Sequence, residues 1–175
     1  MGKIPQKRYD QTLEFIQSVV PAKSRVLDLG IENHFSGIMK NNGFIVFNTS
    51  GEDLDIQPEV VKNFDVEVVT AIEILEHLVS PLQVLTNLPA KKLVATIPLR
   101  LWFASAYKSK TDPWDRHYHE FEDWQFDWLL EKAGWKIITR KKWISPSNKI
   151  GFRPFLRKIT PRYYAVYAER ICLEI

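Results

Sequence analysis

Phe64-Asp65-Val66-Glu67-Val68-Val69-Thr70-Ala71-Ile72-Glu73-Ile74-Leu75-Glu76-His77-Leu78 decides how this chain is read. Val66, Val68, Val69 and Thr70 are β-branched and mostly apolar, as a strand covered on both faces requires. The period then changes. Ile72, Leu75 and Leu78 recur every three residues, while Glu73, Glu76 and His77 fall at i, i+3 and i+4 on another face. This pattern predicts a strand running straight into a helix whose first turn carries two carboxylates and an imidazole. In open α/β sheets, ligands sit at the carboxyl ends of strands, where this cluster lies.

Outward from it, strands and helices alternate. Leu13, Ile16, Val19 and Val20 give a helical stripe over 9–20, ended by Pro21. Arg25-Val26-Leu27-Asp28-Leu29-Gly30 reads as a short strand closing on an acid and a glycine. A helix over 34–42, with Phe35, Ile38 and Met39 inward, precedes a strand over 44–49. The acidic turn that follows, 50–58, is too short for both a crossover helix and a strand. Val79-Ser80-Pro81 is expected to stop or kink the central helix, with 82–88 continuing it. A strand over 92–97 follows. Residues 99–120 have no clean period and are rich in Trp, Tyr and His, which predicts a lid-like loop. A helix over 121–133, a strand over 135–143, a basic excursion over 144–161 and a strand over 163–173 complete the chain. The order predicts one α/β domain over 1–175, doubly wound around a mostly parallel sheet, with an antiparallel C-terminal edge hairpin.

The 175 residues suit one domain with a substantial core. A composition 45% hydrophobic and 26% charged is that of a globular protein, and the net charge of +3 is mild. Charge is unevenly spread, acidic over 52–77 and basic over 136–170, which suits an anionic ligand or a solvated face. One cysteine, Cys172, excludes an internal disulfide and is expected to be a packed thiol. The first residues lack the apolar run of a secretory signal, so a cytoplasmic location is expected.

Four stretches resemble the small class I S-adenosylmethionine-dependent methyltransferases of the type called methyltransferase domain 11 or 23. They are the Asp28-Leu29-Gly30 strand end; the run from Phe64 to Leu78; Val94-Ala95-Thr96-Ile97-Pro98; and His117-Tyr118-His119-Glu120-Phe121 with the later Leu129-to-Trp135 segment. The resemblance spans nearly the whole chain and implies a Rossmann-like fold with S-adenosylmethionine as cofactor. It places Asp28, Gly30 and Glu73 at the cofactor, with Thr49, Ser50 and Asp53 on the ribose side. Two departures stand out. Gly30 is followed by Ile31-Glu32-Asn33-His34, where the family is glycine-rich, and Thr49 and Ser50 stand where the family has an acid.

In some relatives, the small-RNA 2′-O-methyltransferases among them, the Glu-x-x-Glu-His element binds a divalent metal. The resemblance then implies Glu73, Glu76, His77 and His119 as ligands, a set suited to Mn²⁺, Fe²⁺, Co²⁺ or Zn²⁺. In other relatives the same element serves structure alone. Without metal, His117 or His119 is the candidate general base. Trp102, Phe103, Tyr107 and Trp114 form either a substrate wall or a cover of the core.

The basic excursion interleaves aromatics with cations, which suits RNA, an anionic surface or a phosphorylated metabolite; a solvated edge with its aromatics packed inward is the expectation. Three functions follow from the resemblance. The leading one is methyl transfer to a small-molecule or biosynthetic acceptor, preferably at oxygen. The alternatives are a binding or regulatory protein of this fold without catalysis, and a metal-assisted RNA methyltransferase.

Overall fold

The structure, a computed structural model, describes residues 6–112, 115–146 and 150–171. Expectations that fall on Trp114, on Cys172 and on the Lys149 end of the basic excursion lie outside the described residues. Helix α1 spans Gln6–Val19, and strand β1 spans Arg25–Asp28. Helix α2 spans His34–Asn41, with Asn33 as a side-chain cap, and β2 spans Ile45–Asn48. Strand β3 is Val68–Ile72, α3 is Pro81–Asn87 and β4 is Lys92–Pro98. Helix α4 is Asp123–Lys132, β5 is Trp135–Ile144, α5 is Phe152–Leu156 and β6 is Pro161–Arg170.

Among the described residues, six strands form one sheet in the order β2-β1-β3-β4-β6-β5. The first four are parallel, and β6 runs antiparallel between β4 and β5. The sheet is therefore α/β and mixed, with the expected antiparallel edge. Alternation along β1 sends Val26 and Leu27 to opposite faces. On one face Val26, Val68 and Val94 meet Phe15 and Ile16 of α1 and Phe35 and Met39 of α2. On the other, Leu27, Val69 and Leu93 meet Val84 and Leu85 of α3 and Phe126 and Leu130 of α4. Both faces are covered, as the β-branched run from Val66 to Thr70 predicts.

The short second crossover is real. After β2 the chain returns through an acidic turn and a single 3₁₀ helix, Pro58–Asn63, so β2 is left as the open edge. From β1 the chain goes first to β2 and then across to β3. The switch point of the winding thus falls between β1 and β3, and the crevice at their carboxyl ends is the place where such sheets bind ligands.

One prediction about the opening stretch is corrected. β3 does not run straight into an α-helix; Leu75–His77 is a single 3₁₀ turn, and Glu73 has a left-handed backbone with φ 53°. Pro81 does not stop a helix but opens α3, at the position where a missing N–H costs nothing. The residue before a proline avoids the helical region, which separates this turn from α3. The Asp55 carboxylate accepts from the Val79 and Ser80 amides at 2.8 and 2.7 Å, tying the acidic turn to the start of α3.

Candidate active site

Asp28 ends β1 at the switch point and is 2% exposed. Its carboxylate accepts from Ser36 Oγ at 2.7 Å and Thr70 Oγ1 at 2.8 Å. Burial pushes its pKa up, and these hydroxyls pull it back. The Gly30 amide donates to Thr49 Oγ1 at 3.0 Å, and Asn48 Nδ2 donates to the carbonyls of Asp28 and Gly30. Gly30 turns with φ +99°, and a Cβ there would stand 3.5 Å from Ile74 Cδ1. The loop after β1 therefore rests against the turn after β3. Glu32 points outward, to Lys40 Nζ at 2.5 Å. The Ser50 amide donates to Glu52, and Asp53 accepts from the Asp55 amide.

Beside this loop a cavity of about 370 Å³ is lined by Arg8 of α1, by Glu73, Glu76 and His77 after β3, and by Asp115 and His117. Tyr107, Arg162 and Tyr163 complete its wall with Pro98. Arg8 Nη1 lies 2.9 Å from Glu73 Oε2. The other two atoms of this pair, Arg8 Nε and Glu73 Oε1, are buried with no hydrogen-bond partner among the described residues, as is Glu76 Oε2. Burial raises the pKa of Glu73, opposed first by Arg8 and then by Arg162. Glu76 is held well above the ordinary carboxylate range, by burial and then by the negative charge of Glu73. A left-handed glutamate in such a place is strain of the kind that collects at functional sites.

The histidines differ in role. His77 Nδ1 is 3.0 Å from the Arg116 carbonyl, which only accepts, so Nδ1 is the donor in this hydrogen bond. His77 Nε2 lies 3.8 Å from Glu76 Oε1. The His117 ring meets His77 edge-on at 4.8 Å, and its pKa is pushed down by burial and then by His77. Ligand atoms of Glu76, His77 and His117 all lie within 4.8 Å of one another. His119 is elsewhere, stacked on Phe121, with Nε2 3.3 Å from the Val79 carbonyl. Its amide and that of Tyr118 donate to the Glu76 carbonyl and clip the loop to the 3₁₀ turn.

Of the residues expected from sequence, the structure gathers Glu73, Glu76, His77 and His117 around one cavity. It places Asp28, Gly30, Thr49 and Ser50 along the adjoining loops, and sets His119 apart. Tyr107 lines the cavity, whereas Trp102 is 71% exposed. Sequence reading missed Arg8 and Tyr163. Arg8 lies outside the apolar stripe of α1, and nothing local to it signals a partner 65 residues away.

No protein-family model and no curated protein sequence matches the chain. Solved structures do. A SAM-dependent methyltransferase from Archaeoglobus fulgidus superposes with TM-score 0.58 at 15% identity, covering 95% of each chain. A putative methyltransferase seen in complex with the Haloferax volcanii activator Trm112 is similar with TM-score 0.61 at 10% identity, over 97% of this chain and 92% of that one. The (4+2)-cyclase SpnF is similar with TM-score 0.57 at 13% identity, over 94% and 81%. The fold is that of the class I S-adenosylmethionine-dependent methyltransferases.

Proposed function

We propose that the protein transfers a methyl group from S-adenosylmethionine to a hydroxyl of a small molecule held in the cavity above β3 and β4. One observation carries this reading: Arg8 Nε and Glu73 Oε1, a buried donor and a buried acceptor on the two members of one ion pair, both lack partners among the described residues. Buried polar groups are paired in native proteins, so an unpaired donor and acceptor call for a ligand with the reciprocal groups. The amino-acid end of S-adenosylmethionine has them, a carboxylate for Arg8 and an ammonium for Glu73. Bound there, the cofactor supplies an electrophilic methyl. The chain's contribution is to position the acceptor oxygen, and without a metal His117, whose pKa burial lowers, would accept its proton.

Glu76, His77 and His117 also fit a divalent metal of the Mn²⁺ to Zn²⁺ class. Glu76 Oε2 is unpartnered among the described residues, and the hydrogen bond from His77 Nδ1 to the Arg116 carbonyl orients the ring with Nε2 toward Glu76. Such a metal would lower the pKa of the acceptor hydroxyl. The fold alone does not dictate the reaction, since SpnF is a cyclase on it.

A second reading, a ligand-binding protein without catalysis, is favoured by the Gly30 amide, whose hydrogen is already given to Thr49. Calorimetric titration with S-adenosylhomocysteine, with and without Mn²⁺, tests the proposal. Binding in either condition supports it, and binding in neither removes it. Binding that is independent of Mn²⁺ counts against a metal-assisted RNA methyltransferase.

A further inference from the structure

We propose that residues 150–159 form a docking surface for an anionic lipid bilayer, on the rim of the candidate active site. The inference goes beyond methyl transfer and does not depend on it. The segment is folded: Gly151 precedes α5, and the amides of Phe155, Arg157, Lys158 and Ile159 are all bonded within it. Its only buried side chain is Leu156. Contrary to the expectation that its aromatics pack inward, Phe152 is 73% exposed and Phe155 60%, flanked by Ile159 at 65% and a fully exposed Ile150. A core cannot be the reason for four such side chains in one short stretch.

Along the chain, the charge around them is of one sign. Between Glu131 and Glu169 the sequence has no acidic residue. On β5, Arg140, Lys141 and Lys142 are tied to Asp127, Glu14 and Asp123. Arg153, Arg157 and Lys158 are exposed, and among the described residues none of them forms an ion pair. Apolar side chains that enter the acyl boundary, with cations at the level of the phosphates, are what an anionic bilayer binds. A single-stranded nucleic acid is met instead by aromatic faces on which bases stack, and Ile150 and Ile159 have none.

The surface adjoins the site. Arg157 lines a small cleft with Leu101, Ala104 and Glu120. Tyr107 and Arg162 wall both that cleft and the 370 Å³ cavity.

Co-sedimentation of the full chain with vesicles tests this, comparing phosphatidylcholine alone with an equal mixture of phosphatidylcholine and phosphatidylglycerol. Binding is expected to the mixed vesicles only, and to weaken as salt is raised. Arg153→Gln with Lys158→Gln should lower the partition coefficient about 25-fold, at about fivefold per cation. Phe152→Ser with Phe155→Ser should lower it at least about tenfold. Because these side chains are exposed, the variants should keep the wild-type circular dichroism; Ile150→Ser with Ile159→Ser provides a second apolar test if they do not. Equal binding to both vesicles, or binding to neither, overturns the proposal. So does wild-type binding by both apolar double variants, or preference for an RNA oligonucleotide over the mixed vesicles.

Discussion

Arg8 on the first turn of α1 and Glu73 just past β3 lie 65 residues apart and form an ion pair at 2.9 Å, and neither residue is fully partnered by it. The pair fastens the N-terminal helix to the turn after β3 while leaving one buried donor and one buried acceptor without partners among the described residues. Removing Arg8 leaves a carboxylate that is 16% exposed without its counter-charge. Breaking a fully buried pair costs about 3–5 kcal/mol, and the partial exposure of this one reduces that to about 1–2 kcal/mol. Arg8→Ala should lower the melting temperature by about 2–8 °C, and adding Glu73→Gln should recover part of the loss. Thermal melts of the two single variants and the double variant check it.

The buried carboxylate of Glu76 sets a pH dependence of stability. Its folded pKa lies well above the ordinary value of 4.5, so the folded state holds a proton that the unfolded chain has released. The stabilisation is full below about pH 4.5 and is lost as pH rises through the folded pKa. His117 works in the opposite sense. Its folded pKa lies below 6.5, so its contribution is lost as pH falls below that value. Urea melts of metal-free protein between about pH 5 and pH 8 should show Glu76→Gln with a smaller loss of stability toward high pH than wild type.

Asp28 should behave as a structural acceptor. Ser36 and Thr70, both fully buried, donate to its two oxygens. Asp28→Ala strands both hydroxyls and should cost about 2–4 kcal/mol, read by denaturant titration.

The two neighbouring histidines should separate in metal binding. His117 shares the cavity with Glu76 and His77, and His119 does not. Under the proposed reading, Co²⁺ or Mn²⁺ affinity should fall at least about tenfold in His117→Ala and stay within about twofold in His119→Ala, and should rise with pH as ligand protons are displaced. Titration calorimetry of both variants distinguishes them.

Much of the fold was legible because its signals are local. The β-branched run from Val66 to Thr70 demands a strand covered on both faces, and the stretch 50–58 is too short for both a crossover helix and a strand. The helix predicted over Glu73, Glu76 and His77 was not. Three-residue spacing of Ile72, Leu75 and Leu78 fits a turn of 3₁₀ helix as well as an α-helix, and a left-handed backbone at a glutamate leaves no trace in the sequence. The cluster of Glu73, Glu76 and His77 was legible as a site, but its partners were not. Choosing His117 over His119 depends on which face of an irregular loop meets the cavity. Arg8 reaches Glu73 only through the packing of α1 on the sheet. The outward aromatics of α5 were misjudged because Phe152, Phe155 and Leu156 look equally apolar, and only the last packs inward.

The central claim, that the switch-point crevice with Arg8 and Glu73 receives S-adenosylmethionine, is tested most directly by amide nuclear magnetic resonance during titration with S-adenosylhomocysteine. The account predicts saturable shifts at Gly30, Glu73 and Ile74, with the Arg8 Nε–H signal displaced as its empty hydrogen bond is filled. A spectrum unchanged at saturating ligand, or shifts confined to residues away from the ends of β1 and β3, would contradict it.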